Sequence, residues 1–425
     1  MIARNVFRRK GRTVMSILAV AISMILLISM LSIAEGIWLT AQEDVSKGRE
    51  DILVTSGFIA GASEIVYGHE LADRLRADTT NISESAPFDG GLLQASKINS
   101  NESGPVIAMG LIPERSRYFL NDDNEIMLDQ MKIKFHDWFD VPGDPHFENN
   151  YTGPWTYEVM VDKILASNFG LSRGSNVNIN AGPGLNITFR VAGLFETEFA
   201  EGGLFGEFFK GIIILHLSEF QTLKHTDINV IDNKTVLVDK IGGVTLGLQE
   251  DKRNPEDAAE IALALKDKYP QYTFWTKEDQ LEWYHDNIVT ARIYYTAIAS
   301  VSITIGILFV TCIMIMSVNE RKNEIGMMRA IGVSRKSIFT NILMESVFIV
   351  FLGAVVGIIP GYLGSVWLGD YISDIYGYNR TLTAFTLPMV TTALTQLLVI
   401  GTLASLYPAW KASRMNIQSV IRSVG

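Results

Sequence analysis

Residues able to do chemistry are few and scattered in this chain. Its six histidines, at positions 69, 136, 146, 216, 225 and 285, show no H-x-x-x-H or H-E-x-x-H spacing that would put two imidazoles on one helix face. The densest group is His136, Asp137, Asp140, Asp144 and His146, five cation-ligand types within eleven residues, in a loop that also holds Pro142 and Pro145. That composition fits a solvated turn better than a metal site. No G-x-S-x-G elbow occurs, and the single cysteine, Cys312, lies inside an apolar run and is no credible nucleophile. Nor is there a G-x-x-x-x-G-K-S/T loop to cradle ATP phosphates. The chain is expected not to be an enzyme by itself, and to need no metal or cofactor.

The elements around these residues explain why chemistry is sparse. The 425 residues are 48% hydrophobic and only 19% charged. Four nearly uncharged runs stand out: Thr13–Ala34, Ile293–Asn319, Ser337–Gly369 and Thr381–Trp410. Each exceeds the ~20 residues a helix needs to cross ~30 Å of hydrocarbon. The first run is longer than a signal-peptide core, and "SIA" before Glu35 is a poor cleavage site, so it reads as a retained helix. The expected fold is an α-helical four-span transmembrane domain with a large α+β extracytoplasmic domain inserted between spans 1 and 2. The parts are residues 1–40 (N-terminus and first span), 41–287 (outer domain, in two lobes) and 288–425 (spans two to four and a tail).

Orientation follows from Lys and Arg, which favour the cytoplasmic side. The N-terminus carries Arg4, Arg8, Arg9, Lys10 and Arg12; the segment after the second run carries Arg321, Lys322, Arg329, Arg335 and Lys336; the tail carries Lys411, Arg414 and Arg422. Both termini and the middle loop are therefore expected inside a plasma membrane, with the large domain outside. The formal net charge is −10, and the basic inner segments leave about −20 on the outer parts. Nucleic acid is a poor partner for so acidic a face. Sequons at Asn81, Asn101, Asn150, Asn186, Asn233 and Asn379 all fall on that side and could carry glycans. One cysteine excludes an intrachain disulfide.

Within the outer domain the periodicity predicts strands at 51–58, around "GGLLQASKI", "PVIAMGLI", "SNVNIN", "LNITFRVAGLF" and "KGIIILHL", and at 272–276. Helices are expected at 69–77, in the second half of 157–171, at 218–223 behind a capping Ser218, and at 254–269 with Pro255 in its first turn. Two stretches are rich in aromatics and glycine or proline: 136–157 and 193–211, the second holding Phe195, Phe199, Phe205, Phe208 and Phe209. They suit a contact surface for a lipid-like or protein partner, and equally a cap on the core or a belt at the membrane surface.

Between runs two and three lies "NEIGMMRAIGVSRKSI". Ile325, Met328 and Ile331 or Gly332 recur at the spacing of one helical face, while Glu320, Glu324 and Arg329 fall off it. Gly332 can end this short helix and Ser334 can cap the next. Its Met pair, Met327 and Met328, is soft and adaptable, as suits docking into a groove; an amphipathic helix resting on lipid has the same pattern. In the third run, Glu345 is the only deep charge, and a structural pairing with Arg329 or with a partner's cation is expected ahead of simple snorkelling to the interface. Gly353, Gly357 and Gly361 permit close helix approach, within one chain or across a dimer seam, and Pro360 should kink the helix.

The segment "NERKNEIGMMRAIGVSRKSIFTNILMESVFIVFLGAVVGIIPG" resembles the signature of the FtsX/MacB-type permease family. Glu320, Arg321, Glu324, Ile325, Gly326, Arg329, Ala330, Gly332, Glu345, Ser346, Gly353 and Gly357 match it. The tail, 407–422, looks like the family's closing motif but has Ile417 and Ser419 where Pro and Glu are usual. The outer elements look like the MacB-type periplasmic core. The resemblance implies a type VII ABC transporter permease that pairs with a second permease subunit. Two separate ATP-binding subunits would grip a coupling helix at about 320–333, and their ATP cycle would be transmitted to the outer domain to export or extract a lipophilic or amphiphilic substrate or peptide. A secreted or membrane-fusion partner would fit such a system. The alternatives are an FtsX-like regulator of a cell-envelope hydrolase, and a membrane-anchored receptor without ATPase.

Overall fold

The computed structural model describes residues 10–56, 65–98, 100, 102–128, 131–147, 151–180, 186–197, 208–231, 234–376 and 383–414. The chain divides into two compact units: Met1–Leu39 with His285–Ile372 and Thr381–Gly425, and Thr40–Tyr284 with Ser373–Arg380.

The first unit is helical. It holds most of α1 (Lys10–Lys47), α6 (Lys277–Glu320) and α8 (Arg335–Tyr376), and all of the short α7 (Lys322–Ala330) and α9 (Leu387–Ser413). Among the described residues three helical stretches are long and apolar enough to cross a membrane: Thr13–Glu43, Arg335–Ile375 and Leu387–Ser413. The fourth expected span, Ile293–Asn319, falls within α6. One apolar cluster joins Met24 and Ile28 of α1, Val318 of α6, Ile349 and Ala354 of α8, and Leu397 of α9. Polar backbone in an apolar setting must be satisfied internally. Accordingly, Ser32 and Ala384 bond reciprocally: the Ala384 N–H donates to the Ser32 carbonyl at 3.0 Å, and the Ser32 hydroxyl to the Ala384 carbonyl at 2.8 Å. α8 runs through Pro360 as one helix.

The second unit is α+β. Its strands are β1 (Ile52–Thr55), β2 (Ile82–Lys97), β3 (Ser103–Leu111), β4 (Glu125–Leu128), β5 (Met131–Phe135), β6 (Glu158–Asp162), β7 (Asn176–Asn180), β8 (Asn186–Thr197), β9 (Ile212–His216), β10 (Ile228–Ile231), β11 (Lys234–Leu237), β12 (Gly243–Leu248) and β13 (Thr273–Thr276). Its helices are α2 (Gly68–Asp78), α3 (Lys163–Phe169), α4 (Leu217–Lys224) and α5 (Pro255–Lys268). An eleven-stranded sheet has the order β13-β1-β12-β2-β3-β9-β6-β8-β5-β4, with β7 pairing both β2 and β8, while β10 and β11 form a separate hairpin. The sixteen-residue β2 joins the two ends of this sheet. Its first half pairs with β12 and its second with β3 and β7.

Local sequence explains the caps. Asp162 accepts from the Leu165 N–H at 2.7 Å to open α3, and Gly170 closes it at φ 64°. Asn254 accepts from the Asp257 N–H at 2.8 Å ahead of Pro255. The expected cap at Ser218 is not formed. Helix α4 begins one residue earlier, at Leu217, which leaves the Ser218 hydroxyl inside the first turn, where it donates to Asp144. One end of the sheet encloses an apolar cluster with α2 and α5, including Val54, Leu75, Leu246 and Ile261. The other end encloses two more clusters, around Phe119 and Phe195 and around Phe189 and Phe220.

Candidate functional site

α6 stops at Glu320 and α7 starts at Lys322, with Arg321 between them at φ −92° and ψ 13°. Backbone bonds carry across the break: the Arg321 N–H donates to the Ser317 carbonyl at 3.1 Å, and the Ile325 N–H to the Arg321 carbonyl at 2.9 Å. The far end of α7 closes as foreseen. Gly332 is left-handed at φ 95°, the Val333 N–H reaches back to the Met328 carbonyl at 3.0 Å, and the Ser334 hydroxyl accepts from the Ser337 N–H at 3.2 Å.

The buried face of α7 differs from the one the spacing suggested. Ile325, 4% exposed, and Gly326 point inward, and Ile325 packs with Val318, Ile338 and Ile342. Met328 and Ile331, expected on the same face, are turned outward. With Glu324 and Met327 they form an exposed row at i, i+3, i+4 and i+7; Met327 is 62% and Ile331 82% exposed. The apolar residues of this nine-residue helix cover too much of its circumference for spacing to decide, and the neighbours Val318, Ile338 and Ile342 select the side that is buried.

Glu345 pairs with Arg321, at 3.2 and 3.4 Å from Nη1, not with Arg329. The bend puts Arg321 against α8, whereas the Arg329 guanidinium donates to the Val333 carbonyl at 3.2 Å, closing its own helix. Beside this ion pair lies a cleft of about 380 Å³ between the end of α6, α7 and the start of α8. Arg321, Glu324, Asn341 and Glu345 line it, together with aliphatic walls from all three helices.

The three glycines of α8 lie against α1 of the same chain. A Cβ built on Gly353 would stand 2.5 Å from Val20 Cβ, one on Gly357 would stand 2.7 Å from Met24 Cβ and 2.8 Å from the Ala21 carbonyl, and one on Gly361 would stand 3.1 Å from Ile28 Cβ. This is the close approach that small residues allow between apolar helices.

In the second unit the five-residue His/Asp group separates among different partners. His136 lies 3.1 Å from Glu196, Asp137 and Asp140 pair with Arg173, and His146 Nδ1 meets the Gly153 carbonyl at 3.1 Å. Asp144 faces His69 Nε2 at 3.2 Å, and His69 Nδ1 lies 2.8 Å from Asp239. Asp239 also accepts from Gln221 at 2.9 Å and Tyr151 at 3.1 Å, and Phe147 stacks on the imidazole at 3.9 Å. Burial alone would lower the His69 pKa, but its bonds to Asp144 and Asp239 carry it up to about 9. Burial pushes Asp239 the other way, yet His69 holds it below the usual carboxylate range. Sequence reasoning missed this network because its members are 75 and 170 residues apart.

The row of phenylalanines does not form one contact surface. Phe195 is fully buried in β8, Phe209 packs against the cluster around Phe119, and Phe208 is 65% exposed. Phe199 and Phe205 lie outside the described residues. Phe195 lies on the core side of β8, packed with Phe135 and the cluster around Phe119.

Comparison with known proteins agrees with this layout. A family model described as FtsX-like permease C-terminal matches residues 296–417, and one described as MacB-like periplasmic core domain matches residues 13–261, more than half of the chain. The macrolide export ATP-binding/permease protein MacB of Nitrobacter winogradskyi is 24% identical over 367 residues, which cover 85% of this chain and 53% of that protein. This chain thus spans about half the length of that relative. The lipoprotein-releasing system transmembrane protein LolC of Xylella fastidiosa is 20% identical over 431 residues, covering 96% of this chain and 92% of its own. The solved periplasmic region of MacB from Actinobacillus actinomycetemcomitans aligns with 56% of this chain and 94% of its own at 14% identity and a TM-score of 0.34. The chain belongs to the family defined by the MacB-like periplasmic core domain, and its residues 296–417 match the FtsX-like permease C-terminal model.

Proposed function

We propose that this chain is the permease subunit of an ATP-driven ABC transporter, and that α7 is the helix its ATP-binding partners hold. In this reading α1, α6, α8 and α9 are four spans, both termini and α7 lie in the cytoplasm, and the second unit lies outside. Two ATP-binding subunits and a second permease subunit complete the assembly. Nucleotide-driven movement of α7 passes through the spans to the outer unit, which exports or extracts a lipophilic or amphiphilic substrate or a peptide. The names of the relatives, macrolide export for one and lipoprotein release for the other, support amphiphilic cargo.

The observation that carries the reading is the exposed row of Met327, Met328 and Ile331 with Glu324 beside them. Three large apolar side chains on so short a helix, next to basic Arg335 and Lys336, have the anchors of a helix that seats in a protein groove. A helix lying on lipid would present the same row to the interface, and the purification below separates the two. The test is affinity purification of the tagged full chain from native membranes, with mass spectrometry of what accompanies it. A P-loop subunit in stoichiometric amount is expected with the parent chain and absent with Met327→Glu/Ile331→Glu. Equal recovery with both would refute the docking role of α7.

A further inference from the structure

The cleft behind α7 has a composition that the docking row alone does not require. Glu324 stands at its mouth with no hydrogen bond or ion pair among the described residues. Arg321 and Glu345 already satisfy each other deeper in. The lining thus holds two carboxylates against one guanidinium, a net charge of about −1. Around these charges Val318 of α6, Ile325 and Met328 of α7, and Val333, Ile338 and Ile342 beyond it share the walls with the polar Ser317, Ser337 and Asn341. At about 380 Å³ the space is near the lower end for ligand pockets, which run from roughly 300 to 1,000 Å³. Met328 and Glu324 belong both to this lining and to the exposed row, so a protein seated on the row reaches the cleft mouth.

We propose that the cleft is a socket for a basic side chain of the ATP-binding partner, whose cationic tip Glu324 accepts and whose aliphatic stem the walls enclose. This rests on the docking role given to α7 above. Lys and Arg are built for such a site, since their methylene stems cover apolar surface while the head keeps a polar contact. Anionic groups, lipid phosphate included, meet two carboxylates against one guanidinium here, whereas a basic side chain matches both the net charge and the apolar part of the walls. Charge and shape therefore select one class of occupant, and the socket gives α7 a second point of attachment close to the Arg321–Glu345 pair.

The experiment measures the Kd between the full chain in lipid nanodiscs and its purified ATP-binding subunit at low and high salt. Glu324→Gln removes the charge without changing shape, Asn341→Trp fills the mouth, and Met327→Glu/Ile331→Glu breaks the outer row without touching the lining. If the socket exists, Glu324→Gln weakens binding about tenfold and flattens its salt dependence, and Asn341→Trp weakens it at least as much. If the outer-row variant loses binding but either lining variant stays within about twofold of the parent, the socket is refuted and the docking role stands. If the outer-row variant binds like the parent, both fall.

Discussion

Lys277 donates to the carbonyl of Gly48 at 2.8 Å, tying the first residue of α6 to the turn that follows α1. The same ammonium lies 3.6 Å from Asp51, which also pairs with Arg253 at 3.2 Å and accepts from the Leu248 N–H at 2.7 Å. Strand register makes this meeting unavoidable: Ile52 of β1 sits opposite Thr276 of β13, so the helix before β1 and the helix after β13 reach the sheet side by side. Lys277→Met should remove a charge-assisted bond worth about 1.5–3 kcal/mol. Hydrogen exchange of the full chain checks this: faster exchange in residues 40–56 and 273–284 is expected, with recovery in Lys277→Arg.

Glu50 gives the same joint a pH dependence. Burial raises its pKa to about 8, against the opposing pull of Lys277, and Oε2 has no partner. A carboxyl whose folded pKa is raised adds stability while it is protonated. That contribution is complete below the ordinary carboxylate range and is lost as pH rises toward about 8. Thermal unfolding of the outer unit should therefore fall across this range in the parent chain and fall less in Glu50→Gln, which stays neutral. Parallel pH profiles would contradict the assignment.

The His69 cluster predicts a second, separable limb. The raised pKa of His69 adds stability that is complete below its ordinary value of 6.5 and lost as pH climbs through about 9. The lowered pKa of Asp239 adds stability present above the ordinary carboxylate range and lost as pH falls. Replacing His69 with Ala strands two buried carboxylates and should cost on the order of 3–5 kcal/mol, measured by denaturant unfolding near neutral pH. Because Phe147 and Tyr151 pack on this imidazole, proteolysis within residues 136–157 should accelerate in the same variant.

In the helical unit, Gly357→Leu forces a side chain against Met24 Cβ and the Ala21 carbonyl. Overpacking of this kind costs about 1–3 kcal/mol or more. The detergent-solubilised chain should melt earlier, and Met24→Ala should restore part of the loss. An unchanged melting temperature would place the glycine face away from α1.

How much of this was readable from residue order depends on the range of the interaction. Short-range chemistry was legible. Asn254 and Pro255 start α5, Gly332 and Ser334 end α7 and open α8, and the long uncharged runs marked α1, α8 and α9. Partner choice across the fold was not. Glu345 was expected to meet Arg329 but bonds Arg321, a pairing between different helices that the residue order does not specify. Which row of α7 is buried depends on the helix it packs against, information absent from its own nine residues. Phe195 and Phe208 looked like one aromatic patch in sequence, yet the first is packed into the core from β8 while the second is exposed.

The central claim is that the exposed row of α7 contacts an ATP-binding subunit. A photo-cross-linking residue at position 331, introduced into the otherwise intact chain in native membranes, reads that contact directly. The account predicts a single adduct with a P-loop protein, lost when Met327→Glu is added. Adducts with lipid alone, or none beyond those of a control probe at Tyr67 on the outer unit, would contradict it.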